Sequence, residues 1–227
     1  MEVKKSVETK DLKVKVLVYG QAGAGKTYLC KSVAKSALLI SAEGGLLSLS
    51  GTDIDNVEIK DFAELLEVYS MLQKGTDYKI ICLDSISEIA EKVLSKEKEV
   101  AKDPRQAYGE MQDKVAMVVR AFRDLPYHVY MSCKAEMTKD ENGSSIWGPA
   151  MPGQKLGQAL PYLFDEVLAL RVWKNEDGKT VRALQTEPDG IYTAKDRSGK
   201  LDKIESPDLM AIISKVKKGI EQQEDTK

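Results

Sequence analysis

The sequence predicts an α/β fold with a mostly parallel sheet and antiparallel strands towards its C-terminal side. Three observations carry this prediction. A glycine-rich loop at residues 20–27 lies between an apolar run typical of a strand and a run typical of a helix. Short apolar runs then alternate with segments of helical periodicity as far as residue 132, as in strands joined by helices. Finally, two strand-like runs flank residues 175–178, whose Asn-Glu-Asp-Gly sequence is a hairpin signature.

The chain of 227 residues is long enough for one α/β core, and no internal stretch has the composition of an interdomain linker. We therefore expect a single domain at residues 13–220, preceded by a short charged arm at 1–12 and followed by a frayed tail at 221–227. No apolar run reaches the roughly 18 to 20 residues that span a bilayer, and no signal-peptide h-region follows the first residues. These features predict a cytoplasmic protein that does not bind membranes.

The composition excludes several kinds of site. The three cysteines lie far apart in the sequence and each falls in a predicted helix or strand, so neither a disulfide framework nor a zinc site is indicated. His128 is the only histidine, which excludes a histidine-based catalytic or metal cluster. The net charge of −2 provides no overall basic field, so any contact with nucleic acid requires local basic patches.

The glycine-rich loop fits the phosphate-loop pattern GxxxxGK[ST]. Its glycines let backbone N–H groups wrap a phosphate closely, and the following helix directs its N-terminus at the negative charge. Lys26 can reach the β- and γ-phosphates, and the Thr27 hydroxyl can ligate Mg²⁺. We therefore predict a nucleoside triphosphate and Mg²⁺ as ligands. The predicted nucleotide-binding residues are Gly20, Gln21, Ala22, Gly23, Ala24, Gly25, Lys26, Thr27 and Tyr28.

The remaining elements follow from periodicity and from start and stop signals. Predicted strands occupy residues 14–19, 37–41, 79–84, 127–132, 164–173 and 180–185. Predicted helices occupy residues 28–34, 61–73, 108–125 and 206–220, and a further helix begins after residue 85. Residues 134–153 contain three glycines and two prolines, so we expect an irregular loop there. Loops of this length inside a compact domain are usually functional or disordered.

The strand at residues 79–84 ends in a carboxylate, Asp84. Open α/β sheets place ligand groups at the carboxyl ends of their strands, so this run is typical of a Walker B strand whose aspartate holds Mg²⁺. Ser85 and Glu88 then form a capping box that opens the next helix, so we interpret Glu88 as structural. Asp84 and Thr27 are the predicted metal ligands.

Glu43 is the candidate for positioning or deprotonating water, because it follows the second strand and would project from the same sheet edge as the phosphate loop. The alternative is that Glu43 only caps the turn at Gly44 and Gly45. In many hydrolysing phosphate-loop proteins a glutamate directly follows the Walker B aspartate. Here that position is Ser85. No guanine-reading NKxD-like sequence is present, so ATP is the expected nucleotide.

The order of these motifs resembles that of RecA-like ATPases, in which the glutamate after the second strand acts on the attacking water. Four later segments are more specifically similar to the bacteriophage RecA-like single-strand annealing ATPases, and the resemblance spans about residues 13–215. These segments are residues 122–126 (FRDLP), 151–154 (MPGQ), 160–167 (LPYLFDEV) and 194–199 (AKDRSG). The resemblance implies a three-layer RecA-like P-loop NTPase core and a Mg²⁺-dependent ATPase. It also implies a homo-oligomer with ATP at its subunit interfaces.

The resemblance also assigns roles to basic residues. Lys195 and Arg197 occupy the place from which RecA-like subunits reach into a neighbour's ATP. Residues 96–108 and 134–153 correspond to two DNA-facing loops, and residues 132–134 lie near the point that senses nucleotide state. The implied DNA-binding residues are Lys96, Lys98, Lys102, Arg105, Lys134, Lys139 and Trp147. Two alternatives remain. The basic residues at positions 96–105 are interspersed with acids, a pattern that also suits a solvated helix. Trp147 could instead anchor its loop.

The leading hypothesis is therefore an ATPase that binds single-stranded DNA as an oligomer and promotes annealing or strand exchange in phage recombination. A single-strand-binding protein is a further candidate partner. The chain departs from the family pattern at Ser41, where an acid is expected, and at Lys134, where RecA has its sensor glutamine. These departures favour an alternative, a nucleotide-switched binding module that acts on a replication or recombination partner with little hydrolysis. A small-molecule kinase is a third use of the same loop.

Overall fold

The computed structural model describes residues 12–139 and 143–224. The predicted arm at 1–12 lies outside the described residues except for Leu12, as do the last three residues of the predicted tail. The strands are β1 (Lys15–Gly20), β2 (Ala37–Ser41), β3 (Asp55–Glu58), β4 (Ile80–Asp84), β5 (His128–Lys139), β6 (Ser145–Ala150), β7 (Glu166–Lys174), β8 (Thr180–Gln185), β9 (Lys195–Asp196) and β10 (Ile204–Glu205). The α-helices are α1 (Phe62–Gln73), α2 (Ile86–Val100), α3 (Pro104–Arg123), α4 (Gln154–Ala159) and α5 (Leu209–Glu224). Short 3₁₀ helices span Thr27–Ser36, Leu46–Leu49 and Leu160–Leu163.

The strands form one sheet in the order β10-β8-β7-β1-β5-β4-β2-β3, and β6 and β9 pair with β5 and β7 respectively. All pairings from β7 through β1, β5, β4 and β2 to β3 are parallel. The pairings of β6, β8, β9 and β10 are antiparallel. The predicted α/β class, with a mostly parallel sheet and antiparallel strands on the C-terminal side, is confirmed. The hairpin predicted around residues 175–178 joins β7 to β8.

Helices cover both faces of the sheet, so β1 is buried on both sides. Its alternating side chains enter two separate cores: Leu17 and Tyr19 belong to one, Val16 and Val18 to the other. The first core is closed by α1, α2 and α3, and the second by the 3₁₀ helix at Thr27–Ser36 together with α5. A parallel strand covered on both faces is continuously apolar, which is how the sequence presents it. No helix within the described ranges is long and apolar enough to cross a bilayer.

The parallel register brings the carboxyl ends of β1, β5, β4 and β2 to one edge. Ser41 of β2 is opposite Asp84 of β4, and Val18 of β1 is opposite Ser132 of β5. Leu83 is opposite Met131, so Asp84 and Ser132, the next residue on each strand, lie side by side. This edge therefore collects the ends of the strands that carry the predicted site.

The structure corrects the expectation that residues 134–153 form an irregular loop. β5 continues to Lys139 and pairs with β6 as an antiparallel ribbon, with Ala135 opposite Pro149 and Met137 opposite Trp147. The main chain of Trp147 is held from its other side by Ile191 and Thr193. Long-range pairing therefore overrides the local glycine and proline signals. This pairing is not evident from the local sequence.

Smaller differences concern exposed or terminal elements. The edge strand β3 was not predicted because its residues are mostly exposed and polar, so it has no apolar alternation. The last helix continues to Glu224, four residues beyond its predicted end. The three cysteines are buried, as expected from their positions.

Glu166, at the start of β7, is a carboxylic acid buried in the interior. Its side chain is 0% exposed, and among the described residues neither carboxyl oxygen has a hydrogen bond of ordinary geometry. Burial, with the nearby carboxylate of Asp196 as a smaller cause, raises the pKa of Glu166 to about 8. The side chain is therefore neutral near pH 6 and must ionise inside the protein at alkaline pH.

We expect this group to make the protein less stable as the pH rises. The pKa is raised in the folded state from its ordinary value of 4.5, so the folded state holds the proton more tightly between that value and about 8. The stabilisation that comes from this tighter proton binding is complete below pH 4.5. It is lost as the pH rises to about 8, at up to about 1.4 kcal/mol per pH unit. Glu166→Gln should flatten this dependence in urea unfolding at pH 6 and pH 9. Glu110→Gln, an exposed change on α3, is the control; identical profiles for wild type and Glu166→Gln would contradict the assignment.

Candidate functional site

The phosphate loop has the backbone conformation that its glycines require. Gly23 and Gly25 have φ angles of 72° and 108°, which side chains with a Cβ rarely adopt. A Cβ at Gly20 would lie 3.1 Å from the carbonyl oxygen of Leu170 on β7. The loop therefore packs tightly against the sheet at Gly20 and turns sharply at the other two glycines. The predicted residues Gln21 and Ala22 lie exposed at its tip.

Lys26 lies over this loop. Its Nζ donates to the carbonyl oxygens of Gly20, at 2.9 Å, and Gln21, at 3.1 Å. Burial lowers the pKa of Lys26, while the charges of Asp84 and Glu43 oppose that effect. The ammonium is therefore placed between the loop and the two predicted carboxylates, where it can reach phosphate oxygens.

Asp84 is the buried centre of the site, with 3% of its surface exposed. The Thr27 hydroxyl donates to one carboxylate oxygen at 2.5 Å, and the Ser132 hydroxyl donates to the other. Burial raises the pKa of Asp84, and these two hydrogen bonds work in the opposite direction. The two predicted metal ligands, Thr27 and Asp84, are thus brought together. Ser132 was expected near this point from the resemblance, but its bond to Asp84 was not predicted.

These oxygens suit Mg²⁺. The cation prefers oxygen ligands, keeps several waters, and is usually held by one or two carboxylates with substrate phosphates. Within the described residues no group of three or more His, Cys, Asp or Glu side chains could hold a metal by itself. A single carboxylate beside a threonine hydroxyl at a phosphate loop is consistent with a cation that phosphates help to bind. Thr27 and Asp84 would hold it.

Glu43 follows β2 and is oriented by Ser85. The Ser85 hydroxyl donates to Glu43 Oε1 at 2.5 Å and also accepts from the backbone N–H of Glu88 at 3.3 Å, so it caps α2 as predicted. The turn after Glu43 is held by a different group, since the N–H of Gly44 donates to the Ser41 hydroxyl at 3.2 Å. The structure therefore assigns the turn contact to Ser41 and leaves the exposed Glu43 carboxylate facing Ser85. This second contact of Ser85 depends on strand order and was not predicted.

Glu88 lies beside the predicted DNA residue Lys134, whose Nζ donates to its carboxylate at 3.1 Å. The backbone N–H of Lys134 also donates to the Ser87 hydroxyl at 2.9 Å. These contacts attach β5 to the start of α2 immediately beside the site. The Glu88 carboxylate therefore accepts from Lys134, while its backbone N–H donates to the capping hydroxyl of Ser85.

Arg182, on β8, was not predicted to belong to the site. Its Nε donates to the carbonyl oxygen of Ala24 at 3.1 Å, and its Cδ and Nε lie 3.7 Å from where a Cβ of Gly25 would be. The predicted residue Tyr28 is on the same side of the loop, with 56% of its surface exposed and the Lys31 ammonium 4.6 Å from its ring centre. The hairpin was evident in the sequence, but its position against the phosphate loop depends on the sheet order.

Lys195 and Arg197 lie away from the phosphate loop of their own subunit. Lys195 is in β9, opposite Val167 near the start of β7, and its Nζ donates to the carbonyl oxygen of Pro161 at 2.6 Å. Arg197 forms an ion pair with Asp165 at 2.9 Å. Both residues are therefore at the amino ends of the parallel strands, whereas the loop is at their carboxyl ends.

The predicted DNA-binding residues fall on two neighbouring segments. Lys96 forms an exposed ion pair with Glu99, and the Lys98 ammonium lies 5.4 Å from the ring centre of Tyr108. A Cβ at Gly153, just beyond β6, would lie 3.6 Å from Tyr108, so the α2–α3 hairpin adjoins the β5–β6 ribbon. The other residues of this group are Lys102 and Arg105 at the α2–α3 junction, Lys134 and Lys139 on β5, and Trp147 on β6. Trp147 is partly buried against the core, in agreement with the anchoring alternative.

The family model described as an AAA domain matches residues 12–198. No curated protein matches the chain. Among solved structures, that of a KaiC-like protein from the hyperthermophilic archaeon Pyrococcus horikoshii OT3 aligns with a TM-score of 0.47 and 13% identity, covering 76% of this chain and 78% of that chain.

Replacing Asp84 should separate binding from stability. Because burial raises its pKa, ionised Asp84 costs stability near neutral pH, and Asp84→Asn should raise the melting temperature without ligands. The same change should remove the dependence of ADP affinity on Mg²⁺, which we expect to be about tenfold or more, or about 1.4 kcal/mol. Calorimetric titration with and without Mg²⁺ measures this effect.

Asp113→Asn, which changes an exposed carboxylate on α3, is the matched control and should behave as wild type. An Asp84→Asn protein whose ADP affinity still responds to Mg²⁺ would exclude Asp84 as a metal ligand.

Proposed function

The chain belongs to the AAA domain family, and from this premise we propose that it is a Mg²⁺-dependent ATPase that binds single-stranded DNA as an oligomer. In this proposal it promotes annealing or strand exchange in phage DNA recombination. The observation that carries the enzymatic part is the convergence of Lys26, Thr27, Asp84 and Glu43 at one sheet edge. The DNA and oligomer parts rest on the sequence resemblance and on where the basic residues lie.

The residues of the edge have distinct roles in the proposed reaction. The loop N–H groups and Lys26 bind the phosphates, and Glu43 accepts a proton from the attacking water or orients it. Ser85 fixes the Glu43 carboxylate through its 2.5 Å hydrogen bond. Thr27 and Asp84 hold Mg²⁺, which when bound neutralises phosphate charge.

Oligomerisation is supported by the position of Lys195 and Arg197. Both cations lie at the sheet edge opposite their own phosphate loop, so within one subunit they cannot contact the nucleotide. A neighbouring subunit that presents its loop to this edge would receive two positive charges. Such charges stabilise the transition state of phosphoryl transfer and would make hydrolysis depend on assembly.

Binding of single-stranded DNA is supported by the adjacency of the α2–α3 hairpin and the β5–β6 ribbon. The ion pairs that Lys96 and Lys134 make with Glu99 and Glu88 are at least partly exposed, and such pairs contribute little stability. These lysines can therefore exchange a carboxylate for a phosphate at small cost. Binding through them would weaken as salt concentration rises.

One observation favours the alternative function, a nucleotide-switched module with little hydrolysis. The Ser41 hydroxyl, at the position where the related ATPases carry an acid, is used to hold the turn at Gly44. If hydrolysis needs a second acid there, this protein would bind ATP but hydrolyse very little of it. The module would then act through a replication or recombination partner, for which a single-strand-binding protein is a candidate.

Glu43→Gln distinguishes the two functions. On the ATPase proposal, wild-type turnover rises when single-stranded DNA is added, and the variant loses about 10²- to 10⁴-fold of that turnover while keeping its ATP affinity, because only the base is removed. Phosphate release at low and moderate salt measures turnover, and light scattering measures assembly. Glu58→Gln, at the carboxyl end of the adjacent strand β3, is the control. Wild-type turnover that stays negligible with DNA would support the switched module instead.

Mixing variants tests the shared site. Subunits with Lys26→Ala keep the basic residues but lose phosphate binding, and subunits with Arg197→Ala keep the loop but lose one cation. Each variant alone should be nearly inactive. A mixture should recover a substantial part of the wild-type rate, because some interfaces pair an intact loop with an intact arginine. A mixture no more active than its components would argue against a residue supplied by the neighbour.

A further inference from the structure

Arg182 is a cation placed on the outer side of the phosphate loop by a distant part of the chain. Its Nε reaches the carbonyl oxygen of Ala24 across 158 residues, and its Cδ and Nε lie over Gly25. β8 holds it there through the pairing of Arg182 with Val172 on β7. The contact therefore links the C-terminal hairpin directly to the loop.

The charge of Arg182 is not used within the described parts of the protein. Other arginines form ion pairs: Arg123 with Asp124, Arg171 with Asp189, and Arg197 with Asp165. Among the residues that the structure describes, no carboxylate lies within ion-pair distance of Arg182. A guanidinium has five N–H donors, and the bond to Ala24 uses one nitrogen, so further donors are available to an anion beside Gly25.

The strand order indicates which phosphates of a bound nucleotide would lie near Arg182. β1, which leads into the loop, has β5, β4 and β2 on one side and β7 and β8 on the other. Asp84 and Glu43 end β4 and follow β2, so the γ-phosphate end of a bound nucleotide points to that side. Arg182 is on the opposite side, where the phosphates nearer the nucleoside would then lie.

We propose that Arg182 is a nucleotide-binding residue whose guanidinium binds a phosphate shared by ATP and ADP, on the nucleoside side of the loop. This inference rests on the proposed ATP-binding function. Arginine suits the role because its planar group can give two parallel hydrogen bonds to phosphate oxygens. The same contact joins bound nucleotide to β7, the strand with which β9 and its Lys195 pair.

The test compares Arg182→Ala and Arg182→Lys with wild type in calorimetric titrations with ATP and with ADP. Arg182→Ala should weaken both nucleotides by about 10- to 100-fold, the effect of losing a hydrogen bond to a charged group. Arg182→Lys should recover part of the loss, because it keeps the charge but not the planar fork. Arg120→Ala, which removes an exposed arginine from α3, should bind as wild type.

Melting temperatures separate binding from a structural role. Without nucleotide, Arg182→Ala should have the same melting temperature as Arg120→Ala. ADP should raise the melting temperature of Arg182→Ala less than it raises that of wild type. A different outcome would mean that Arg182 only supports the loop. In that outcome Arg182→Ala has a lower melting temperature without nucleotide, and Arg182→Lys restores both the melting temperature and the affinity. Unchanged affinity, or a loss confined to ATP, would also overturn the inference while leaving the proposed function intact. A wild-type protein that binds neither nucleotide would overturn both.

Discussion

The structure of the site depends on one buried carboxylate held between two hydroxyl groups. Asp84 accepts hydrogen bonds from Thr27, in the helix after the phosphate loop, and from Ser132, on the strand between β1 and β4. Three elements distant in sequence are thereby fixed at one point. Burial makes the ionised carboxylate unfavourable and raises the pKa of Asp84, and a group so placed beside a phosphate loop marks a candidate functional site.

The order of strands divides the surroundings of the phosphate loop into two sides. On the side of β4 and β2 lie Asp84, Ser85 and Glu43, the groups that can hold a cation and a water. On the side of β7 and β8 lies Arg182, whose Nε donates to the carbonyl oxygen of Ala24 on the loop. The C-terminal strands therefore place a cation beside the phosphate loop in addition to extending the sheet.

The features that the sequence predicted correctly are those encoded by adjacent residues. The phosphate loop, the apolar strand ending in Asp84 and the cap at Ser85 each occupy a short stretch whose spacing determines its structure. The bonds from Ser132 to Asp84, from Ser85 to Glu43 and from Arg182 to Ala24 depend on strand order and register, which local patterns do not specify. For the same reason the β5–β6 ribbon was missed, since its pairing outweighs the turn-forming residues within it.

β5 provides the shortest connection between the predicted DNA surface and the phosphate site. Ser132 contacts Asp84, Cys133 is buried against Ser87, and Lys134 pairs with Glu88 on α2. Three consecutive residues thus connect the Asp84 carboxylate to a lysine at the start of the ribbon, with no flexible loop between them. On the proposed function, a change in the contact between Asp84 and the Ser132 hydroxyl would act on a strand whose exposed half carries Lys134 and Lys139. If the proposed function holds, ATP and DNA would be coupled through this strand, because each ligand would change the contacts available to the other.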